Sequence, residues 1–118
     1  GHLGHALLQN FDFEKVGFHV DSAFDVSPDL IGTSIHAVTI RSMDELEQYI
    51  ADYRPDVAVL TVPQHVAQPM ASRLIDLGIK GFWNFTNVEL STDKPDVFFE
   101  DVHFVDTLLT LSYRISRP

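Results

Sequence analysis

Cysteine is missing altogether from this chain of 118 residues, and basic side chains are few. Without thiols there are no disulfides, no thiolate metal sites and no cysteine redox chemistry. Lysine and arginine number 8 against 17 aspartates and glutamates, a formal charge of −9 at pH 7. Such a surface repels phosphate backbones, so this segment is not expected to grip nucleic acid itself. Long apolar runs are also absent: no stretch approaches the roughly 18 residues needed to span a bilayer. No secretory leader pattern is visible either, which sets the expectation of a cytoplasmic protein with no membrane association. Internal repeats and low-complexity linkers are lacking, and Ser91 to Pro95 reads only as a loop. Six histidines are present but scattered, at His2, His5, His19, His36, His65 and His103. None forms the i, i+4 pair that a helical metal site requires, so no metal is expected. What remains is 45% apolar residues and a mean hydropathy of +0.03, the balance of one globular domain with a single core.

The apolar pattern alternates between strand and helix. Leu3 to Asn10 reads as a helix, and Phe11 to Gly17 as a connection. Phe18 to Asp25 suits a strand of a covered sheet. Ser27-Pro28-Asp29 opens a short turn or helix ending near Gly32, and Ile35 to Ile40 reads as a short β-branched strand. Ser42 and Glu45 form a capping box ahead of Met43, Leu46, Tyr49, Ile50 and Tyr53 at helical spacing, with Pro55 as the stop. Val57 to Val62 is a continuous apolar run, as in a parallel strand buried on both faces. Gln64 to Leu77 is a helix closed by Gly78, with Pro69 either starting it or kinking its first turns. Ile79 to Phe85 and Val97 to Glu100 read as strands, and Val102 to Ile115 as a closing apolar helix. This β-α-β-α order predicts an α/β fold, a Rossmann-type doubly wound parallel sheet.

The chain opens Gly1-His2-Leu3-Gly4. These residues match the second half of a G-x-G-x-x-G fingerprint, in which case the first glycine and the first strand lie upstream of residue 1. The second glycine of that turn admits a pyrophosphate and the third lets the helix pack closely on the sheet. The helix N-terminus then offers unpaired N–H groups and a positive dipole end. Two glycines three apart are a weak signal; Asp25, about 20 residues further on, strengthens it. A carboxylate there accepts hydrogen bonds from the adenine-ribose hydroxyls and repels a 2′-phosphate, favouring NAD over NADP. Ligands of such sheets bind beyond the C-terminal strand ends, where Gly1 to Gly4, Asp25 and Thr61-Val62-Pro63 are expected to converge. The plain alternative is a helix start followed by an ordinary strand-end aspartate.

Taken in order, Gly1-His2-Leu3-Gly4, Ala23-Phe24-Asp25-Val26, Ile31-Gly32, Leu60-Thr61-Val62-Pro63, Gly78-Ile79-Lys80-Gly81, Asn84-Phe85 and Thr110-Leu111-Ser112-Tyr113 have the spacing of a known family. The chain resembles the C-terminal domain of the Rex redox-sensing transcriptional repressors of Gram-positive bacteria, over essentially its whole length. The resemblance implies a Rossmann NAD(H)-binding domain over residues 1–101 and, over 102–118, a dimerisation helix exchanged between subunits. It implies a domain that senses the NADH/NAD+ ratio, a homodimer, and operator DNA held by an N-terminal winged-helix part that is not in this chain. Gly1, His2, Leu3 and Gly4 would form the pyrophosphate turn, Asp25 would hold the adenine ribose, and Val26 would lie beside the adenine. Thr61, Val62 and Pro63 would line the cofactor cleft, and Asn84 and Phe85 would lie near the nicotinamide. Phe104 would reach into the partner's nicotinamide pocket. Two of these assignments have structural competitors: Phe104 with Leu108, Leu109 and Leu111 also makes an ordinary apolar stripe, and Asn84 also suits local backbone capping.

The chain departs from the family pattern at three places. His103 stands where the family usually has aspartate, Asn10-Phe11 where it has a tyrosine, and Thr86-Asn87 where it tends to have Ala-Pro. The acid and the tyrosine belong to the rearrangement that distinguishes the family's NADH state. Cofactor binding is therefore expected to be kept and the switch chemistry altered, as in a divergent paralogue. His103 would add pH dependence near neutrality, a reading that His103→Asn tests through the pH profile of NADH affinity. The resemblance implies no catalysis. Two other classes fit the fold: an NAD-dependent oxidoreductase fragment, which needs a base such as His103 or His65, and the CoA-binding Rossmann domain of an acyl-CoA ligase.

Overall fold

The computed structural model describes residues 2–102, with His2 described through its backbone alone. The fold is Rossmann-like α/β, and the chain divides into two compact units, Gly1–Tyr53 and Arg54–Pro118.

In the first unit, helix α1 (His2–Asn10) buries Leu7, and its last turn is closed by the Asn10 side-chain amide donating to the Ala6 carbonyl at 3.0 Å. Phe11 then packs edge-on against the buried ring of Phe13, 4.7 Å between centroids. Strand β1 is Ser22–Asp25, shorter than the expected 18–25, because Phe18 and His19 are exposed and irregular and the pairing with β3 begins at Ser22. The expected strand Ile35 to Ile40 is two strands. Ser34–Ile35 (β2) and Val38–Ser42 (β3) pair antiparallel across a two-residue turn in which both His36 and Ala37 have positive φ, 48° and 68°. That is the hairpin geometry matching strand twist, and it is normally signalled by Asn or Gly. Residues 28–32 form turns with no helix, Gly32 taking φ 88°. Strands β1 and β3 are parallel, Ser22 opposite Thr39 and Asp25 opposite Ser42. Val38 and Ile40 on one face of β3, and Leu46 and Ile50 of the following helix, are buried.

The capping box is present as expected. The Ser42 hydroxyl accepts from the Asp44 N–H at 3.2 Å, and the Ser42 N–H donates to Glu45 Oε2 at 3.1 Å. The chain enters through a 3-10 turn, Met43–Glu45, before helix α2 (Leu46–Tyr53), which Arg54 ends in a left-handed conformation before Pro55.

The second unit contains three parallel strands in sequential order, β4 (Val57–Leu60), β5 (Gly81–Asn84) and β6 (Phe98–Asp101). Helix α3 (Gln64–Asp76) connects β4 to β5 and runs through Pro69 without a break. Ala67 and Ala71, one turn apart and fully buried, give it a side of small residues, and Leu74 and Ile75 complete the apolar face. Its end is a Schellman motif: the Gly78 N–H donates to the Ile75 carbonyl and the Ile79 N–H to the Leu74 carbonyl, both at 3.0 Å, with Gly78 at φ 106°. Gly81 lies in close approach to β4, where a Cβ would sit 3.2 Å from Val57 Cγ2 and 3.3 Å from the Asp56 carbonyl, a tight fit. The expected closing helix, residues 102–115, lies beyond the described residues apart from Val102, which is irregular.

Candidate dinucleotide site

Parallel strands present ligand-facing loops at their C-terminal ends. In the first unit that edge carries Asp25 on β1, directly opposite Ser42 on β3. The Asp25 Oδ1 accepts from the Val26 N–H at 2.7 Å and the Ser27 N–H at 3.0 Å. This Asx-type turn orients the half-buried carboxylate before any ligand arrives. A carboxylate has acceptor capacity beyond two hydrogen bonds, so a ribose diol suits it chemically. Val26 follows with 78% of its surface exposed, an apolar side chain beside the acid. Leu3 and Gly4 occupy the first turn of α1, half-buried; Gly1 lies outside the described residues, as do the positions of the His2 side-chain atoms.

Behind this edge, β1 is tied to α2 by polar and aromatic contacts. The Tyr49 hydroxyl donates to Asp21 Oδ2 at 3.0 Å, and its ring meets Phe24 edge-on at 5.2 Å. The Arg41 Nε donates to the Ser22 hydroxyl at 2.9 Å, and its guanidinium lies 5.4 Å from the Tyr49 ring centroid. Burial raises the Tyr49 phenol above its ordinary pKa, a shift that the Ser22 contact opposes and Asp21 reinforces. The side chains around β1 are thus engaged with one another, which fixes the strand whose end holds Asp25.

In the second unit the register places Leu60, Asn84 and Asp101 side by side at the C-terminal edge of β4, β5 and β6. Thr61 and Val62 are half-buried after β4, and the exposed Pro63 precedes the first turn of α3 with no side-chain cap. The helix therefore presents backbone N–H groups and its positive dipole end at this edge. Asn84 is 1% exposed and its amide is fully engaged within the protein. Its Nδ2 donates to the Val88 carbonyl at 2.7 Å and to Asp101 Oδ1 at 2.9 Å. Its Oδ1 accepts from the Thr86 N–H at 3.0 Å and the Thr86 hydroxyl at 2.6 Å. Asn84 thus shapes the loop after β5, and Phe85 beside it is 2% exposed, in the core.

Three features of this loop were not anticipated. Thr86, in the position of the family's alanine, supplies the hydroxyl that completes Asn84. Asn87 takes φ 61°, which a proline ring cannot adopt, so the loop's course differs from an Ala-Pro loop. Two glutamines one turn apart on α3 hold it from above: the Gln64 Nε2 donates to the Thr86 carbonyl at 3.3 Å, and Gln68 bonds both the Ser91 N–H (2.9 Å) and the Ser91 carbonyl (3.0 Å). The Asn-x-Thr spacing was a readable Asx-turn signal, whereas Asp101 and Gln68 meet the loop only through the tertiary fold. Among the described residues no buried side-chain N or O lacks a partner, and no three metal-ligating side chains cluster. Phe104 and His103 lie outside the described residues, and Phe11 is packed against Phe13.

A family model described as the CoA binding domain matches residues 1–88. This chain belongs to that family. Within it, the resemblance to Rex holds along the chain. The redox-sensing transcriptional repressor Rex of Caldicellulosiruptor saccharolyticus is 43% identical over 117 residues, covering 99% of this chain and 53% of that protein. Rex of Caldanaerobacter subterraneus subsp. tengcongensis is 40% identical over 117 residues, with 99% and 52% covered. Among solved structures, RSP, a Rex-family repressor, in complex with β-NADH matches with a TM-score of 0.81 at 39% identity, over 98% of this chain and 55% of that one. The same repressor in complex with β-NAD+ and operator DNA matches with a TM-score of 0.80 at 39% identity, over 98% and 52%. The chain spans about half the length of the curated relatives it matches.

Proposed function

We propose that this chain is the NADH/NAD+-sensing and dimerisation domain of a Rex-like, non-enzymatic transcriptional repressor acting in the cytoplasm as a homodimer. The observation that carries this reading is the likeness, across 98% of the chain, to a repressor solved with β-NADH and with β-NAD+ on operator DNA. The preset carboxylate of Asp25 supports it chemically: an acid at the end of β1 suits the ribose diol of NAD and disfavours a 2′-phosphate. In this reading Gly1, His2, Leu3 and Gly4 hold the pyrophosphate, and Asp25 and Val26 the adenosine. Thr61, Val62 and Pro63 line the cofactor cleft, Asn84 and Phe85 lie near the nicotinamide, and Phe104 comes from the partner. Residues 1–101 are the binding domain and 102–118 the exchanged helix. The bound dinucleotide supplies a redox-dependent charge on its nicotinamide ring; the protein supplies orientation and a hydrogen-bonded frame.

DNA contact belongs to another part of the full-length protein, because the chain itself carries a charge of −9. Full-length protein is therefore expected to select DNA fragments from the genome of its own organism and to release them as NADH is added, without consuming the NADH. Sustained oxidation of NADH, or retention of the fragments at saturating NADH, contradicts the reading. A second reading, CoA as the ligand, is favoured by the name of the matching family model alone, and competition between CoA and NADH decides it.

A further inference from the structure

Asp101 ends β6 beside Asn84 at the C-terminal edge of the second unit's sheet, and its exposed carboxylate was in none of the site assignments. Its Oδ1 accepts from the Asn84 Nδ2 at 2.9 Å, and Asn84 is held in turn by Thr86 and Val88. The Val102 N–H donates to the Asn84 carbonyl at 2.9 Å, so the backbone beyond Asp101 is tied to the same residue. The carboxylate is thereby fixed by a neutral amide, and among the described residues no lysine, arginine or histidine forms an ion pair with it. Its negative charge is oriented but not neutralised by these contacts.

We infer that Asp101 sets the preference between the oxidised and reduced dinucleotide by its charge. The inference rests on the NAD(H) reading above. That reading puts Asn84 and Phe85 near the nicotinamide, and Asp101 stands in register with Asn84 at the same strand ends. NAD+ and NADH differ there by one positive charge on the ring. A fixed carboxylate attracts the cationic ring and is indifferent to the neutral one, so Asp101 raises NAD+ affinity and narrows the margin by which NADH wins. The hydrogen bond to Asn84 keeps the charge at the strand end instead of free in solvent.

The test is calorimetric titration of the full-length protein and its D101N and D101A variants with NADH and NAD+ at low and at moderate salt. D101N keeps an oxygen acceptor for the Asn84 amide and removes only the charge. It is expected to weaken NAD+ binding about threefold to tenfold, leave NADH within about twofold, and abolish the salt dependence of the ratio between them. D101A removes the charge and the bond together, so its difference from D101N, expected to be the same for both forms, reports the structural contribution of the bond. If D101N binds both forms as the unmodified protein does, or loses both alike, the charge role is overturned while the NAD(H) reading stands. If the unmodified protein binds neither form, both fall together.

Discussion

At Asp25, one carboxylate oxygen is fixed by the Val26 and Ser27 amides, so the side chain is aimed before ligand binding. Asp25→Asn keeps that oxygen and loses the charge. It is expected to weaken NADH by about tenfold, roughly 1.4 kcal/mol, and to narrow discrimination against NADPH, with little change in thermal stability. Calorimetry with both dinucleotides checks this. Asn84 is the opposite case, a buried amide whose four bonds all go to the protein. Asn84→Ala leaves the Thr86 and Val88 groups unsatisfied and is expected to cost about 2–4 kcal/mol of stability, read from the denaturant midpoint at unchanged slope. A third residue carries a pH signature. Because burial raises the Tyr49 phenol above its ordinary 10.0, folding favours the protonated ring. Its contribution is intact below the unfolded value and is lost as pH rises through the folded one. Stability is therefore expected to fall above about pH 10, and Tyr49→Phe should flatten that decline.

At the scale of elements, what was legible in advance was what neighbouring residues decide. Ser42 and Glu45 announce the start of α2 because the capping box closes within one turn, and Gly78 announces the end of α3 because only a left-handed residue completes a Schellman motif. Gly78→Ala is expected to destabilise by about 1 kcal/mol. The hairpin between β2 and β3 was hidden because His36 and Ala37 adopt left-handed backbone that their side chains do not advertise. Ala37→Gly relieves that strain and should stabilise by roughly 0.5–1 kcal/mol, measured by thermal or chemical denaturation. The candidate site was legible to the same degree. Asp25 and the loop before α3 follow from strand ends and spacing, but the fastening of the β5 loop depends on Gln68 and Asp101, which lie 16 residues before Asn84 and 17 after it. No local pattern reports such pairings. The Asn84-x-Thr86 turn is the exception, a short-range signal that agrees with the local capping expected of Asn84.

At the scale of the molecule, a chain of net charge −9 is poorly suited to holding DNA alone. The isolated chain is expected to leave duplex DNA unshifted at physiological salt, whereas the proposed function has the full-length protein bind it. The CoA binding domain family to which it belongs and the Rex-family repressor solved with β-NADH point to two different ligands, and the role proposed for Asp25 favours the second. The most direct test of that claim is a competition titration: full-length protein loaded with NADH, then challenged separately with NAD+ and with CoA. NAD+ is expected to displace NADH, and CoA is expected to leave it bound. Displacement by CoA at comparable concentration, or failure of NADH to load, would contradict it.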